Sequence, residues 1–411
     1  MTSHHMPSSL TPLTSPAHAA AGETASAKGL GDLPTWNLAD LYPSRDGADF
    51  KGGLEKARLE AAAFQEKWKG KLDLACRSTG DAGLGAALRE LEALEDLIGR
   101  IGSYAGLSYY GEMTDPANGK FFSDVSAAIT DIAANLLFFG LELNRVEDSV
   151  LEGAMTDDAI AGHYRPWIED LRKEKPYQLD DKLEQLFLEK SQTGGQAWNR
   201  LFNETIASLR FPLDGEQVPL EVALDRLQEP SPEARRTAAA SISSVFKDNI
   251  RIFTLITNTL AKDKDISDRW HGFKDIADSR HLSNRVEGEV VDALAEAVMA
   301  AYPRLSHRYY AMKAKWLGME QLDYWDRNAP LPETPSQLVT WEEARDTVLS
   351  AYHDFAPEMA AITRDFFDNN WIDAPARPGK APGAFAHPTV PSAHPYVLIN
   401  YLGKPRDVMT L

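Results

Sequence analysis

LGAALRELEALEDLIGRIGSYAGLSYYGEMTDPANGKFFSDVSAAITDIAANLLFFGLELNRV, from Leu84 to Val146, carries the apolar rhythm that decides the fold class. Leu84, Leu88, Leu91, Leu94, Ile98, Ile101 and Ala105 recur at the helical period, which puts them on one stripe of an α-helix. Phe121, Val125, Ile129, Ile132, Leu136, Phe139, Leu143 and Val146 repeat the pattern. Between the two lies GEMTDPANGK, whose Asp115-Pro116 and Asn118-Gly119 pairs are turn chemistry, so the runs predict an antiparallel helical hairpin. Upstream, Phe50, Leu54, Ala57, Ala61, Phe64 and Trp68 predict a third long helix packed beside them. The expected class is mainly α.

Downstream the pattern breaks once, in LRFPLDGEQVPLEV (209–222), where Asp214-Gly215 between two short alternating runs predicts a small β-hairpin. Ser231-Pro232, a cap followed by proline at the first helical position, restarts helix through Ile242, Phe246, Phe253, Ile256 and Leu260. Another helix is expected near Asn284, with Glu287 three residues on, and a further one at Thr340, where Thr340 and Glu343 form a capping box. After Trp371 the stretch DAPARPGKAPGAF concentrates Pro and Gly, and strands are expected around Ala384 and at Tyr396–Tyr401. Asp407 then reads as the N-cap of an apolar turn, Val408, Met409 and Leu411, too short to be a finished helix.

The chain has 411 residues, 43 Lys plus Arg against 61 Asp plus Glu, and a net charge of −18, which repels nucleic acid and anionic lipid. No membrane span is expected: the most apolar run, AANLLFFGLEL, is short and interrupted by Glu142. The first 32 residues, rich in Ser, Thr, Pro and Ala and without a signal-peptide core, read as a disordered tail in which His4 and His5 are incidental. A lone cysteine, Cys76, fits a structural role in a reducing compartment, and the expected location is the cytoplasm.

Several chemistries are missing from the sequence. GDAGLG at Gly80 has the wrong spacing for a phosphate loop, and GSYAG at Gly102 lies in a predicted helix in the wrong register for a serine nucleophile. None of the ten histidines is followed by Glu or has a second His four residues on, so no helical H-E-x-x-H zinc site is present. His271 and His281 read as core or capping histidines. His387 and His394, each followed by proline in HPTVPSAHP, are held at fixed angles, and are candidates for substrate contact, for metal ligation or for bonding to a backbone carbonyl.

PTWNLADLYPS (34–44), IGRIGSYAGLSYYGEMTDP (98–116), WNRLFNETIASLRF (198–211), NTLAKDKDISDRWHGFKDIADSRHLSNRV (258–286), YYAMKAKWLG (309–318) and PGAFAHPTVPSAHPYVLINYLGKPRDVMTL (382–411) together resemble the oligoendopeptidase F branch of the M3 zinc metallopeptidases. The resemblance implies a multi-helix, zincin-type clamp around a peptide cleft. It divides the chain after the tail into a helical lid (33–210), a helical body of the peptidase domain (211–371), and a substrate-side β segment (372–411) leading into the helix that bears the metal site. In the family, a segment resembling NYLGKPRDVMTL is followed by the zinc-binding motif, so the resemblance implies no metal ligand and no catalytic residue within these 411 residues. Zinc then belongs to the complete enzyme and is not expected on this chain alone.

What the resemblance does carry over is the wall of the cleft. Gly383, Ala384 and Phe385 correspond to an edge strand that pairs with an extended peptide backbone, and His387, His394 and Tyr396 join them as candidate substrate-binding residues. Phe385 lines a pocket or fills core, and Tyr396–Asn400 is the neighbouring strand. The expected function is that of the N-terminal part of a zinc-dependent oligoendopeptidase acting on short oligopeptides, inactive alone and completed by a C-terminal half. The alternative is a non-catalytic helical protein that binds peptides or a partner helix.

Overall fold

Three long helices are built as their apolar periods require: α1 (Ala48–Trp68), α2 (Leu84–Gly111) and α3 (Pro116–Leu143). The structure, a computed structural model, describes residues 29–332 and 338–411. All seven stripe positions of α2 are buried, as are Phe50, Ala57, Ala61, Phe64 and Trp68 of α1 and Val125, Ile132, Leu136 and Phe139 of α3. They share one core with Leu143, Val146 and Tyr396. α3 is long and apolar enough to cross a membrane by length and composition, contrary to the expectation from its sequence, but half of its most apolar window is buried within this bundle.

The turn between α2 and α3 is shorter than expected. Asp115 caps α3 by accepting from the Ala117 N–H at 2.9 Å and Pro116 occupies the first helical position, so Asn118 and Gly119 lie inside the helix. Shorter helices follow as far as Ser208. The hairpin pairs β1 (Phe211–Leu213) with β2 (Glu216–Val218), and Asp214 (φ 53°) and Gly215 (φ 84°) make the tight turn. It ends earlier than its apolar pattern suggests, because Leu220–Asp225 is helical.

The body continues with α4 (Pro232–Asp248), capped by Ser231, and α5 (Ile250–His271). The two are separate helices divided at Asn249 where the periodicity reads as continuous. α6 (Gly288–Ala301) starts after Glu287, four residues beyond Asn284, which instead ends the short helix Asp278–Ser283. α7 (Ser306–Trp316), α8 (Trp341–Phe355) and α9 (Pro357–Asp368) complete it, and the Thr340–Glu343 capping box at α8 forms with both reciprocal bonds.

The C-terminal sheet has three strands in the order β3 (Ile372–Pro375), β5 (Tyr396–Tyr401), β4 (Phe385–His387). β3 runs parallel to β5 and β4 antiparallel, with Phe385 opposite Leu398 and His387 opposite Tyr396. β3 is a correction: Pro375 closes the strand in a stretch that composition alone reads as a linker. Alternation along β5 splits its side chains between two cores. Tyr396 and Leu398 face the α1–α3 helices, while Ile399 and Tyr401 pack with Ile372, Ala374, Trp341 and Leu30. Leu30 falls within the expected tail and yet is only 1% exposed, so the packed chain begins no later than this residue; residues 1–28, with His4 and His5, lie outside the described residues.

α10 (Pro405–Thr410) ends the chain. It begins two residues before Asp407, and that carboxylate bonds back to the N–H groups of Leu402 (2.9 Å) and Lys404 (3.0 Å) from inside the first turn.

Candidate functional site

Because β5 is the central strand, β4 has a partner on one side only and presents a free edge. Gly383, Ala384 and Ala386 are exposed along it. Gly383 has φ +73° with open space where a Cβ would stand, so backbone conformation is what calls for glycine there. Its N–H donates to Glu221 at 3.2 Å, and its carbonyl accepts from the Asn400 amide at 3.0 Å, which also donates to the Ala381 carbonyl. The approach to the edge strand is therefore pinned from the body on one side and from β5 on the other.

The other candidates fall on the protected side. Phe385 packs against Trp36 (6.5 Å between ring centroids) and Tyr110 (5.7 Å), which makes it core. His387 places Nε2 2.9 Å from the Ser103 hydroxyl on α2, and burial pushes its pKa down to about 4, so the ring is neutral near pH 7. His394 is stacked on Trp371 at 3.5 Å, with Nε2 3.1 Å from Asp40 Oδ2 and Nδ1 3.1 Å from the Pro395 carbonyl. Tyr396 is wholly buried and donates its hydroxyl to the Asn37 carbonyl at 3.1 Å. A buried ring whose hydroxyl is already bonded does not meet a substrate, so Tyr396 is withdrawn as a contact. The structure thus leaves Ala384 and Ala386 exposed at β4, engages both backbone groups of Gly383 in hydrogen bonds, and places Phe385, His387, His394 and Tyr396 where α2 and residues 36–40 meet the sheet.

Two ionic clusters support this wall. Lys380, fully buried, is 2.6 Å from Asp373 Oδ1 and donates to the carbonyls of Asp373, Pro375 and Ile399 at 2.9, 2.9 and 2.6 Å. Burial pulls its pKa down to about 8 while Asp373 opposes the shift. Arg377 adds a two-pronged bond to the same carboxylate, at 2.6 and 2.9 Å, and reaches the Gly111 carbonyl at the end of α2. Together they staple the β3–β4 loop onto the sheet and the end of α2. At the other end, Glu221, Asp225 and Asp407 gather near Lys404, which lies 2.8 Å from Asp225. Burial raises all three carboxyls, Glu221 to about 7, against the opposing Gly383 N–H, and the other two against Lys404. Sequence reasoning missed both clusters. The RPGK spacing of Arg377 and Lys380 marks a basic pair in a loop, but nothing in it names Asp373 as their partner, and Glu221 meets Gly383 across 162 positions.

Among the described residues no three His, Cys, Asp or Glu side chains converge as a metal site, and the two candidate histidines are engaged with Ser103 and Asp40.

The sequence model for Oligopeptidase F matches residues 142–211 and that for peptidase family M3 matches residues 226–411. Oligopeptidase PepF of Bacillus subtilis is 26% identical over 392 residues, covering 92% of this chain and 56% of that protein. PZ peptidase A, solved with an inhibitor, superposes with a TM-score of 0.68 at 15% identity over 90% of this chain and 62% of that one. Oligoendopeptidase-F from Enterococcus faecium gives 0.60 at 16% identity, over 78% and 66%. At such identities the structural likeness is one of fold. The chain spans 52 to 62% of the length of the curated relatives it matches.

Proposed function

Because this chain belongs to peptidase family M3, in its oligoendopeptidase F branch, we propose that it builds the substrate side of a zinc-dependent oligoendopeptidase cleft. The free edge of β4 carries this reading. An extended peptide adds there as a fourth strand, bound through main-chain hydrogen bonds that tolerate many side chains. Short oligopeptides are the proposed substrates and the cytoplasm the proposed location, the latter supported by the single cysteine and the acidic charge balance. Zinc and the water it activates are supplied by polypeptide other than these residues, so no hydrolytic step is assigned to any side chain here.

Amide exchange tests the edge directly: a short unstructured peptide slows exchange at residues 384–387 and leaves α1 unchanged. In parallel, metal analysis of the purified chain finds zinc far below one per chain, and a quenched oligopeptide stays uncut. One zinc per chain with turnover that disappears on changing His387 or His394 overturns the assignment of the chemistry elsewhere. A peptide that leaves exchange along β4 untouched overturns the edge.

A further inference from the structure

Of the fourteen residues of α6, ten are Ala, Val, Leu or Met, and its three acids, Glu289, Asp292 and Glu296, share one stripe, which leaves the rest of the circumference apolar. A broad apolar face of this kind is ordinarily turned to a core. Yet none of its residues is buried, and Val290, Leu294, Val298 and Met299 are 43 to 64% exposed. The apolar surface continues through Leu305 into α7, where Tyr309 and Trp316 are also exposed. Beside it opens a cavity of about 730 Å³ between Tyr310 and Ala314 of α7 and Leu322, Tyr324 and Trp325, with Tyr324 itself 69% exposed. Scattered single apolar residues on a surface mean little, but a broad exposed apolar helix face followed by a helix that lines an aromatic cavity marks an interface.

The length of the relatives points to what covers it. The curated relative is matched over 56% of its own length, so family members carry a large further stretch of polypeptide that these 411 residues do not match. We propose that α6 and α7 form the docking face for that stretch, whether joined to this chain or separate, with an aliphatic or aromatic anchor entering the cavity beside Tyr324. The assignment rests on the family reading and extends it: the substrate wall at β4 and the surface that receives the rest of the enzyme are different parts of the helical body.

The test co-expresses this chain with the part of Bacillus subtilis oligopeptidase PepF that it does not match. A one-to-one complex is expected by light scattering. Leu294→Glu with Val298→Glu weakens it about tenfold or more, as loss of a central apolar contact does, while the chain's own circular dichroism and urea midpoint stay put, since both side chains are exposed. No complex, or one indifferent to the double variant, overturns the proposal. So does a homodimer of this chain that the same variant dissolves, since the occupant is then a second copy. Zinc content and peptide cleavage by the pair separate the two readings. A pair held through α6 that binds no zinc removes the peptidase function and keeps the interface; an active pair insensitive to the variant does the reverse.

Discussion

Lys380 shows how much one buried ion holds here. Its ammonium has no access to water and satisfies one carboxylate and three carbonyls, which fixes the loop preceding β4. Lys380→Met removes the charge and leaves those carbonyls unpaired, so destabilisation of about 3 kcal/mol is expected in urea denaturation. His387 provides a pH signature. Unfolded, the ring takes up a proton near 6.5; folded, it resists until about 4. Between those values the unfolded state binds more protons, so the contribution is complete above 6.5 and is lost as pH falls towards 4, roughly 3 kcal/mol in all. Urea titrations of the native chain and of His387→Gln at several pH values should converge in stability across that window; parallel curves would show that the ring is not shielded.

Among the elements, α8 illustrates a cap that both sequence and structure define. Thr340 Oγ1 accepts from the Glu343 N–H at 3.3 Å, and the Glu343 carboxylate accepts from the Thr340 N–H at 2.9 Å. Thr340→Ala should cost about 1 kcal/mol, read as a lower urea midpoint, with Thr340→Ser restoring most of it. α10 behaves in the opposite way. Asp407 has the right chemistry for a cap but acts from inside the first turn, because Pro405 already supplies a fixed φ and no N–H at the helix start. Start signals spaced two residues apart compete, and local sequence does not rank them.

Across the whole molecule, the segment from Leu30 to Asp40 ties both ends of the chain together. The Leu30 carbonyl accepts from the Trp341 N–H at 2.8 Å, that of Pro34 from Ala374 at 2.9 Å, and Asn37 donates to the Asn370 carbonyl at 2.9 Å. The sheet that bears the candidate edge is therefore held between α1–α3 on one face and Leu30 and Trp341 on the other. Leu30→Ala should cost about 3 kcal/mol in urea denaturation, in line with a buried leucine and far more than a tail residue costs. A change within about 0.5 kcal/mol, the range of ordinary surface substitutions, would return it to the tail.

Local patterns along the chain were enough to specify the three long helices, the capped start of α8, the β1–β2 turn, the strand at Tyr396 and the family, because each is written in neighbouring residues: a period, a cap, an Asp-Gly pair, a run of motifs in order. Where the candidate site residues sit was decided by contacts made in three dimensions. Phe385, His387, His394 and Tyr396 sit within twelve positions of one another and look alike as site candidates. The partners Trp36, Ser103, Asp40 and Asn37, hundreds of positions away, engage them and leave Ala384 and Ala386 exposed at β4. Burial and pairing are properties of distant contacts, and a one-dimensional pattern holds no record of which distant residue arrives.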